Sequence, residues 1–506
     1  MQVDIIDSFE TLAPLRGNWD AVHAADPEAH VFLSWTWIWA CLEQITDQWL
    51  VLAAKATPEA AEYVGFLPLE LRTRHDDDGD FHNELRFCGG YFTGYNGFIC
   101  TVDFQDDAIR AFAESTQTLN WSKFHLENFF ASPERLHRFL DAYPPETFAT
   151  EKVHRPDDGD NIDHDIYVHV PLAGDWEAFL TERLGPETRR TARRTLKSLN
   201  GPSDFYITHA VPETFDGDLE ILLNFWELQW AEKLAARYNP ALPIHMMGHF
   251  RKTLTACFKE DILLLIVMWR GVTPIGATAA VLDTHQRSVV CQLTGRDLAV
   301  KQPGPGFAMH MYRMRWAIQN GFTNYDFQTG DFSYKFDLGG IERRVECHLV
   351  STKDGRNLRG KLEPLSLPMV LHWALEQHEA GKLAEAEQSC REILAVDPEH
   401  GAALELVEQI NRQRQQQAAT IFVVVGHTQI VKLGEAIRAA YPGARHFELP
   451  PATWFVRHDD QSATDVATKI GIADGKLGAQ AIVFSLGQWS GWGRNELWEW
   501  IGARTG

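Results

Sequence analysis

The stretch NYDFQTGDFSYKFD, residues 324–337, gathers Asp326, Asp331, Tyr334 and Lys335 within one short span. A carboxylate can accept a proton, a phenol can give one, and an amine can carry charge, so the set could move protons at a reacting centre. Such crowding just after a short apolar strand suits a metal or hydrolytic site. It also suits plain structure, with Asp326 capping a turn, Asp331 paired to Lys335 and Tyr334 packed in a core.

The elements that must position these groups lie immediately upstream. SVVCQLTGRDLAVKQPGPGFAMHMYRMRWAIQNGFTNYDF reads as a strand, a Gly-rich turn, an amphipathic helix and a second strand. Gly304 and Gly306 let backbone amides come close to a ligand, and a helix starting at about Phe307 offers free amides and a positive dipole end to a pyrophosphate. Lys301 stands where it could add a counter-charge, and His310 falls on the same helix. The alternative is a Gly-Pro-rich connection with no ligand. A dinucleotide-binding unit is excluded, because the preceding strands form a meander and only two glycines are present. No Walker Lys-Ser/Thr follows the turn.

With these residues in view, the chain resembles the GNAT superfamily of acyl-CoA N-acyltransferases. Within it, the chain is similar to the long, two-lobed bacterial acetyltransferases described as cellulose-biosynthesis proteins, relatives of the FemAB peptidyltransferases. The resemblance rests on Gly304-Pro305-Gly306, Trp316-Ala317-Ile318, Gly321, Tyr325-Asp326-Phe327, Gly330-Asp331, Tyr334-Lys335 and Gly339. Upstream it rests on ETRRTARRTLKSL, Trp226, Trp230 and PIGATAAVLD, and in all it covers residues 165–350. It implies that the strand before the loop splays from the strand after it and that pantetheine binds along about Val290 to Thr294, with Gln292 and Leu293 between them. It implies that pyrophosphate sits on Lys301, Gly304, Gly306 and Phe307. Members of the family usually carry Gln or Arg where this chain has Lys301. The implied cofactor is acetyl-CoA or another acyl-CoA, and the implied reaction is acyl transfer to an amine of a sugar, metabolite or peptide. Asp326 or Asp331 would then take or position the amine proton, Tyr334 would face the sulfur, and Lys335 would meet an acidic acceptor.

Arg189, Arg190, Arg193 and Arg194 share a broad basic helical face, a candidate substrate contact together with Trp226 and Trp230. Pairing with the protein's own acids is the other reading of that face. The fold class expected is α/β (α+β). It comprises a GNAT-like lobe at residues 1–160 without a cofactor loop and a catalytic lobe at 161–358. A tetratricopeptide-like helical segment follows at 359–417, then a ferredoxin-like βαββαβ domain at 418–506. In the first lobe, QDDAIRAF puts acids where phosphate would bind, and Trp35, Trp37 and Tyr95 either line an acceptor cleft or fill a core. The C-terminal parts are expected to recruit a protein partner, with GQWSGWG a candidate aromatic patch.

Composition narrows the classes. Lys and Arg number 47 against 69 Asp and Glu, a net charge of −22, which disfavours nucleic acid and anionic membranes as general partners. A FemAB-type transferase using aminoacyl-tRNA, contacted by the arginine helix, is one alternative, and a non-catalytic scaffold is another. The N-terminal MQVDIIDSFETL has no basic region followed by an apolar run, and no window is apolar enough to span a membrane, so a cytoplasmic location is expected. Seven cysteines without CxxC spacing point to free thiols rather than disulfides or zinc, and the acidic loops match no EF-hand, so no metal is assigned.

Overall fold

The computed structural model describes residues 1–76, 80–90, 93–154, 161–199, 204–300, 304–417, 420–458, 462–487 and 495–505. It is a mixed α/β protein with three sheets. The chain divides into two compact units, Met1–Trp373 with Arg391–Pro398, and Ala374–Cys390 with Glu399–Gly506.

The first unit holds two lobes. Lobe one has strands β1 (Gln2–Ile6), β2 (Gln48–Lys55), β3 (Gly65–His75), β4 (Phe81–Phe87), β5 (Ile99–Cys100), β6 (Lys123–Phe129) and β7 (Phe148–Val153). Its helices are α1 (Phe9–Leu12), α2 (Arg16–Ala25), α3 (Trp35–Leu42), α4 (Gln105–Thr116) and α5 (Pro133–Asp141). Lobe two has β8 (Ile166–Pro171), β9 (Phe205–His209), β10 (Leu263–Arg270), β11 (Thr273–Asp283), β12 (Ser288–Arg296), β13 (Asn324–Thr329), β14 (Ile341–Arg344) and β15 (Glu346–Thr352). Between them run α6 (Trp176–Arg183), α7 (Pro186–Leu199), α8 (Phe215–Arg237), α9 (Leu242–Lys259), α10 (Pro305–Gln319) and α11 (Ser333–Asp337). Local chemistry sets several of these ends: Asp175 caps α6 through the amide of Ala178 at 2.9 Å, and Pro186 opens α7.

The two sheets have matching plans. One runs β1-β2-β3-β4-β6-β15-β7 with β5 on β3, the other β9-β10-β11-β12-β13-β8-β14. In each, four antiparallel strands are followed by one parallel neighbour, β6 beside β4 and β13 beside β12. Position six in each sheet is taken by a strand out of chain order. β15, expected inside the second lobe at 161–358, lies in the first sheet between β6 and β7. β8 lies in the second sheet between β13 and β14. Each strand meets two neighbours there, so both of its edges are satisfied. A shared core of Trp19, Trp35, Trp37, Tyr95, Tyr167, Val281, Val290 and Val345 joins the lobes. Trp35, Trp37 and Tyr95 are thus core residues.

In the second unit the described residues place strands β16 (Thr420–Gly426), β17 (His446–Leu449), β18 (Thr453–His458) and β19 (Ala481–Ser485) in the order β17-β18-β16-β19, all antiparallel. The helices after α11 are α12 (Leu367–Glu379), α13 (Leu383–Val396), α14 (Gly401–Gln417), α15 (Ile430–Ala440), α16 (Ala463–Ile470) and α17 (Asn495–Thr505). Alternate residues of β16 face opposite ways: Phe422 and Val424 pack with Leu433, Ile437 and Val466, while Ile421 meets Leu497, Trp500 and Ile501. The candidate patch at 487–493 lies outside the described residues, except Gly487. No helix among the described residues is long and apolar enough to cross a membrane. All seven cysteines are free.

Candidate functional site

β12 and β13 pair in parallel at Ser288↔Asn324, Val289↔Tyr325 and Val290↔Asp326, and then part. β12 continues to Arg296 and β13 to Thr329 with no further pairing between them. Two irregularities bend them away from each other. The register against β11 slips at Gln292, and that against β8 slips at Phe327. Gln328 then adopts φ 59° and Gly330 φ 92°, turning the chain out of the strand. From Cys291 onward, the β12 edge that faces β13 can pair with an extended ligand. Behind this edge α8 comes very close: a Cβ at Gly295 would lie 2.5 Å from Cβ of Phe225 and 2.7 Å from the Trp226 nitrogen.

The open end of the gap meets the start of α10. Gly304 is its N-cap, in extended conformation, with no side-chain cap on the first-turn amides. A Cβ on Gly306 would lie 3.5 Å from Cδ and 3.6 Å from Nε of Arg296, so that arginine sits at the helix mouth. Arg296, at the end of β12, was not singled out from sequence; Lys301 was, and it lies outside the described residues. Val290 and Leu293 are buried in apolar clusters and Phe307 packs against one, so these side chains serve packing. Gln292 is half-buried, and its Nε2 has no hydrogen-bond partner.

Asp326, Asp331, Tyr334 and Lys335 are brought together, but not as one open wall. Asp326 is 1% exposed. Its carboxylate accepts from the Tyr95 hydroxyl at 2.5 Å, from the Gln328 amide at 2.7 Å, and from the Arg343 guanidinium. Arg343 in turn stacks on the rings of Tyr95 and Phe130, 5.1 and 4.8 Å from their centroids. Asp326 therefore ties the lobes together and does not face an acceptor amine. Lys335 is 2% exposed, and its Nζ donates to the carbonyls of Phe327 at 3.3 Å, Gln328 at 3.1 Å and Thr329 at 2.5 Å. All three ammonium protons are spent on the end of β13, which corrects the expectation of an acceptor contact. Burial lowers the Lys335 pKa to about 8, with Cys291, Asp326 and Asp331 pulling it back up. Asp331 accepts from the Asp163 amide at 2.9 Å and so anchors the segment before β8. Tyr334 alone of the four is exposed. Its ring lies 5.9 Å from that of His310 and 6.0 Å from that of Phe327. Burial of its inner side, then the Cys291 thiol, push its pKa up to about 12, against the pull of Arg313 and Arg296.

Beneath Tyr334 lies a group the sequence reading passed over. Arg313 of α10 is 0% exposed. Its Nη2 donates to Nδ1 of His310 at 3.1 Å and to Sγ of Cys291 at 3.5 Å, and its guanidinium lies 5.3 Å from the Tyr325 ring centroid. Nε and Nη1 have no hydrogen-bond partner. His310 also accepts from the Tyr325 hydroxyl at 2.9 Å. Burial, then Arg313, Lys335 and Arg296, hold its pKa well below the usual histidine value. With two donors on Nδ1 it is the neutral tautomer protonated on Nε2. The spacing of Gly306, His310, Arg313 and Ala317 along one helical face was the available signal.

The remaining candidates lie further out. On α7, Arg190 pairs with Glu187 at 2.9 Å and Arg193 with Glu177 at 2.5 Å. Arg194 is exposed, and Arg189 is half-buried with its Nε unpartnered. Trp226 is 5% exposed and packs edge-on to Phe250, so it is core rather than a substrate contact. Trp230 is half-buried beneath Lys233, whose Nζ is 5.2 Å from the ring centroid.

In lobe one the corresponding gap is filled by the chain itself. β4 and β6 pair from Glu84↔Lys123 to Arg86↔His125. Beyond that, the Asn96 amide donates to the Asn128 carbonyl at 2.8 Å, and the Phe130 amide donates to the Asn96 carbonyl at 3.0 Å. The helix that follows, α4, opens with Asp106 and Asp107 in its first turn.

Comparison with known proteins bears on the second lobe. Residues 186–336 match the family model of the acetyltransferase (GNAT) domain. No curated protein matches the chain. Among solved structures, FemX is similar at 9% identity and a TM-score of 0.46, over 69% of this chain and 97% of that one. A tandem GNAT protein from the clavulanic acid biosynthesis pathway is similar at 9% identity and a TM-score of 0.38, over 69% and 98%. A GNAT-family acetyltransferase from Colwellia psychrerythraea is similar at 12% identity and a TM-score of 0.32, over 69% and 100%.

Proposed function

We propose that the second lobe is an acyl-CoA-dependent N-acyltransferase that moves an acyl group, acetyl being the simplest, from its thioester to an amine on a sugar, small metabolite or peptide. One observation carries this: β12 and β13 part beyond Val290↔Asp326, and the opening leads to a helix that begins Gly304-Pro305-Gly306. The edge of β12 from Cys291 to Arg296 suits an extended pantetheine arm, with Gln292 Nε2 a spare donor beside it. The uncapped first turn of α10 and the Arg296 guanidinium suit a pyrophosphate. When bound, acyl-CoA supplies an activated carbonyl with a thiol leaving group.

The residues divide the remaining work. Tyr334, exposed at the gap, can return a proton to the departing sulfur. Asp326 and Lys335 hold the shape of β13, and Asp331 anchors the segment beside it. With both carboxylates engaged, the acceptor amine gives its proton to solvent. The exposed arginines of α7 keep a second reading in view, a FemAB-type transferase charged by aminoacyl-tRNA, although Arg190 and Arg193 are already paired with glutamates. For the second unit, the antiparallel order β17-β18-β16-β19 supports a ferredoxin-like reading. A role there in recruiting a protein partner, as for the helices before it, is part of this proposal, as is a cytoplasmic location.

The test is thermal melting of the full chain with acetyl-CoA, CoA, or aminoacyl-tRNA. Binding at one hundred times Kd stabilises by about 2.7 kcal/mol, so a clear upward shift with acetyl-CoA is expected. No shift at millimolar acetyl-CoA rejects the proposal, and a shift with aminoacyl-tRNA alone favours the second reading. A scaffold predicts that Tyr334→Phe leaves function in cells intact, whereas the enzyme predicts a loss of about a hundredfold in turnover.

A further inference from the structure

Arg313 poses a physical problem that packing does not solve. A guanidinium taken fully out of water costs several kcal/mol unless a carboxylate or a full set of hydrogen bonds compensates. Arg313 is 0% exposed and has two unpartnered nitrogens, and among the described residues it makes no ion pair with a carboxylate. The groups that face it are weak acids, neutral groups and other cations. These are Cys291 on β12, Tyr325 on β13, Tyr334 on α11 and His310 on its own helix, with Lys335 and Arg296 close enough to act on the same histidine. The buried carboxylate nearby, Asp326, is already paired to Arg343. The same helix buries Met309, Met311 and Met314, side chains of similar length that fill such space without charge.

Its position along the helix says which part of a ligand it serves. Arg313 stands eight residues beyond Pro305, about 12 Å along the axis from the end where phosphates would bind. It touches Cys291, the first residue of β12 after the last β12–β13 pair. It therefore lies beneath the closed apex of the gap, with Tyr334 above, where the reacting end of a pantetheine arm would arrive. In acyl transfer the amine nitrogen forms a bond to the carbonyl carbon, the carbon–sulfur bond breaks, and its electron pair goes to sulfur. The amine proton passes to solvent, and the sulfur either keeps its charge or takes the Tyr334 proton. Resting on the acyl-CoA reading above, we propose that Arg313 is a positioning residue that keeps a positive charge beneath the apex of the β12–β13 gap for the sulfur that leaves the thioester.

The experiment needs no acceptor. The full chain is saturated with CoA, and the bound thiol is titrated by its thiolate absorbance, with desulfo-CoA on the same protein as the blank. The comparison is wild type against Arg313→Met, with Arg313→Gln used if the methionine variant does not fold. The bound thiol is expected to titrate about one pH unit lower in wild type than in the neutral variants, a tenfold difference in thiolate at a given pH. Arg313→Lys is expected to recover most of that shift. CoA affinity measured by calorimetry below pH 7, where the thiol is protonated, is expected to agree within about threefold across the set. Equal thiol midpoints in wild type and the neutral variants overturn the proposal while leaving the acyl-CoA reading intact. Failure of the wild type to bind CoA at all overturns both.

Discussion

At the scale of single residues, the segment 324–337 shows side chains whose chemistry is spent on structure. Lys335 is the clearest case, since its ammonium closes the end of β13 on three carbonyls. Its folded pKa of about 8 lies below the ordinary 10.5, and that sets a sign. Below pH 8 both folded and unfolded chains hold the proton. Between 8 and 10.5 the unfolded chain alone does, so stability from this group rises as pH rises through that window. Compared with Lys335→Met, wild type is therefore expected to gain stability from pH 7 to pH 9.5, by about 2 kcal/mol at most. Urea unfolding of both proteins at the two pH values checks this, and a constant difference would contradict it. The residue types were legible in sequence, but their employment was not. The partners of Asp326 lie 231 residues upstream at Tyr95 and 17 downstream at Arg343, and no local pattern marks either.

At the scale of elements, the strand–loop–helix–strand unit was legible, because a Gly-Pro turn before an amphipathic helix is a local signal. The parting of β12 and β13 came only through family resemblance, since a strand's own pattern does not say where its neighbour leaves it. Gly295 is where this geometry is most exposed to substitution. Gly295→Ala would push Phe225 and the Trp226 backbone away from β12, because an added Cβ has no room there. The expected result is CoA binding weakened by about tenfold or more, with a melting temperature only a few degrees lower, as in other small-to-large core changes. Calorimetric titration with CoA, beside a melt of the free protein, distinguishes this from general unfolding. Helix α9 and strands β7, β14 and β15 were not read from the sequence. The strands are short or mixed in pattern and are fixed by pairing rather than local propensity, while α9 opens with Pro243 and mixes polar and apolar residues along its length.

At the scale of the whole molecule, the two lobes of the first unit interlock. β15 completes the first sheet although it follows the second lobe in the chain, and β8 completes the second sheet at the start of that lobe. Alternating apolar patterns show that a segment pairs, not which sheet it joins, so a boundary near residue 160 looked sufficient from sequence. Residues 1–160 produced alone are expected to be insoluble or poorly ordered, because β6 and β7 would be left with unpaired edges. Adding residues 161–358 as a second chain is expected to restore a soluble complex. Circular dichroism and gel filtration of the separate and co-expressed halves test this, and a well-folded monomer of 1–160 would count against it.

The exchange also imposes a timetable on synthesis. Residue 352 must leave the ribosome before β15 can enter its slot, so lobe one waits through the making of lobe two with its last two strands held apart. At about 5–20 residues per second, that wait lasts on the order of ten seconds or more. For that interval the edges of β6 and β7 that β15 later joins have no strand partner, and such open edges are where a nascent chain is most prone to pair with another.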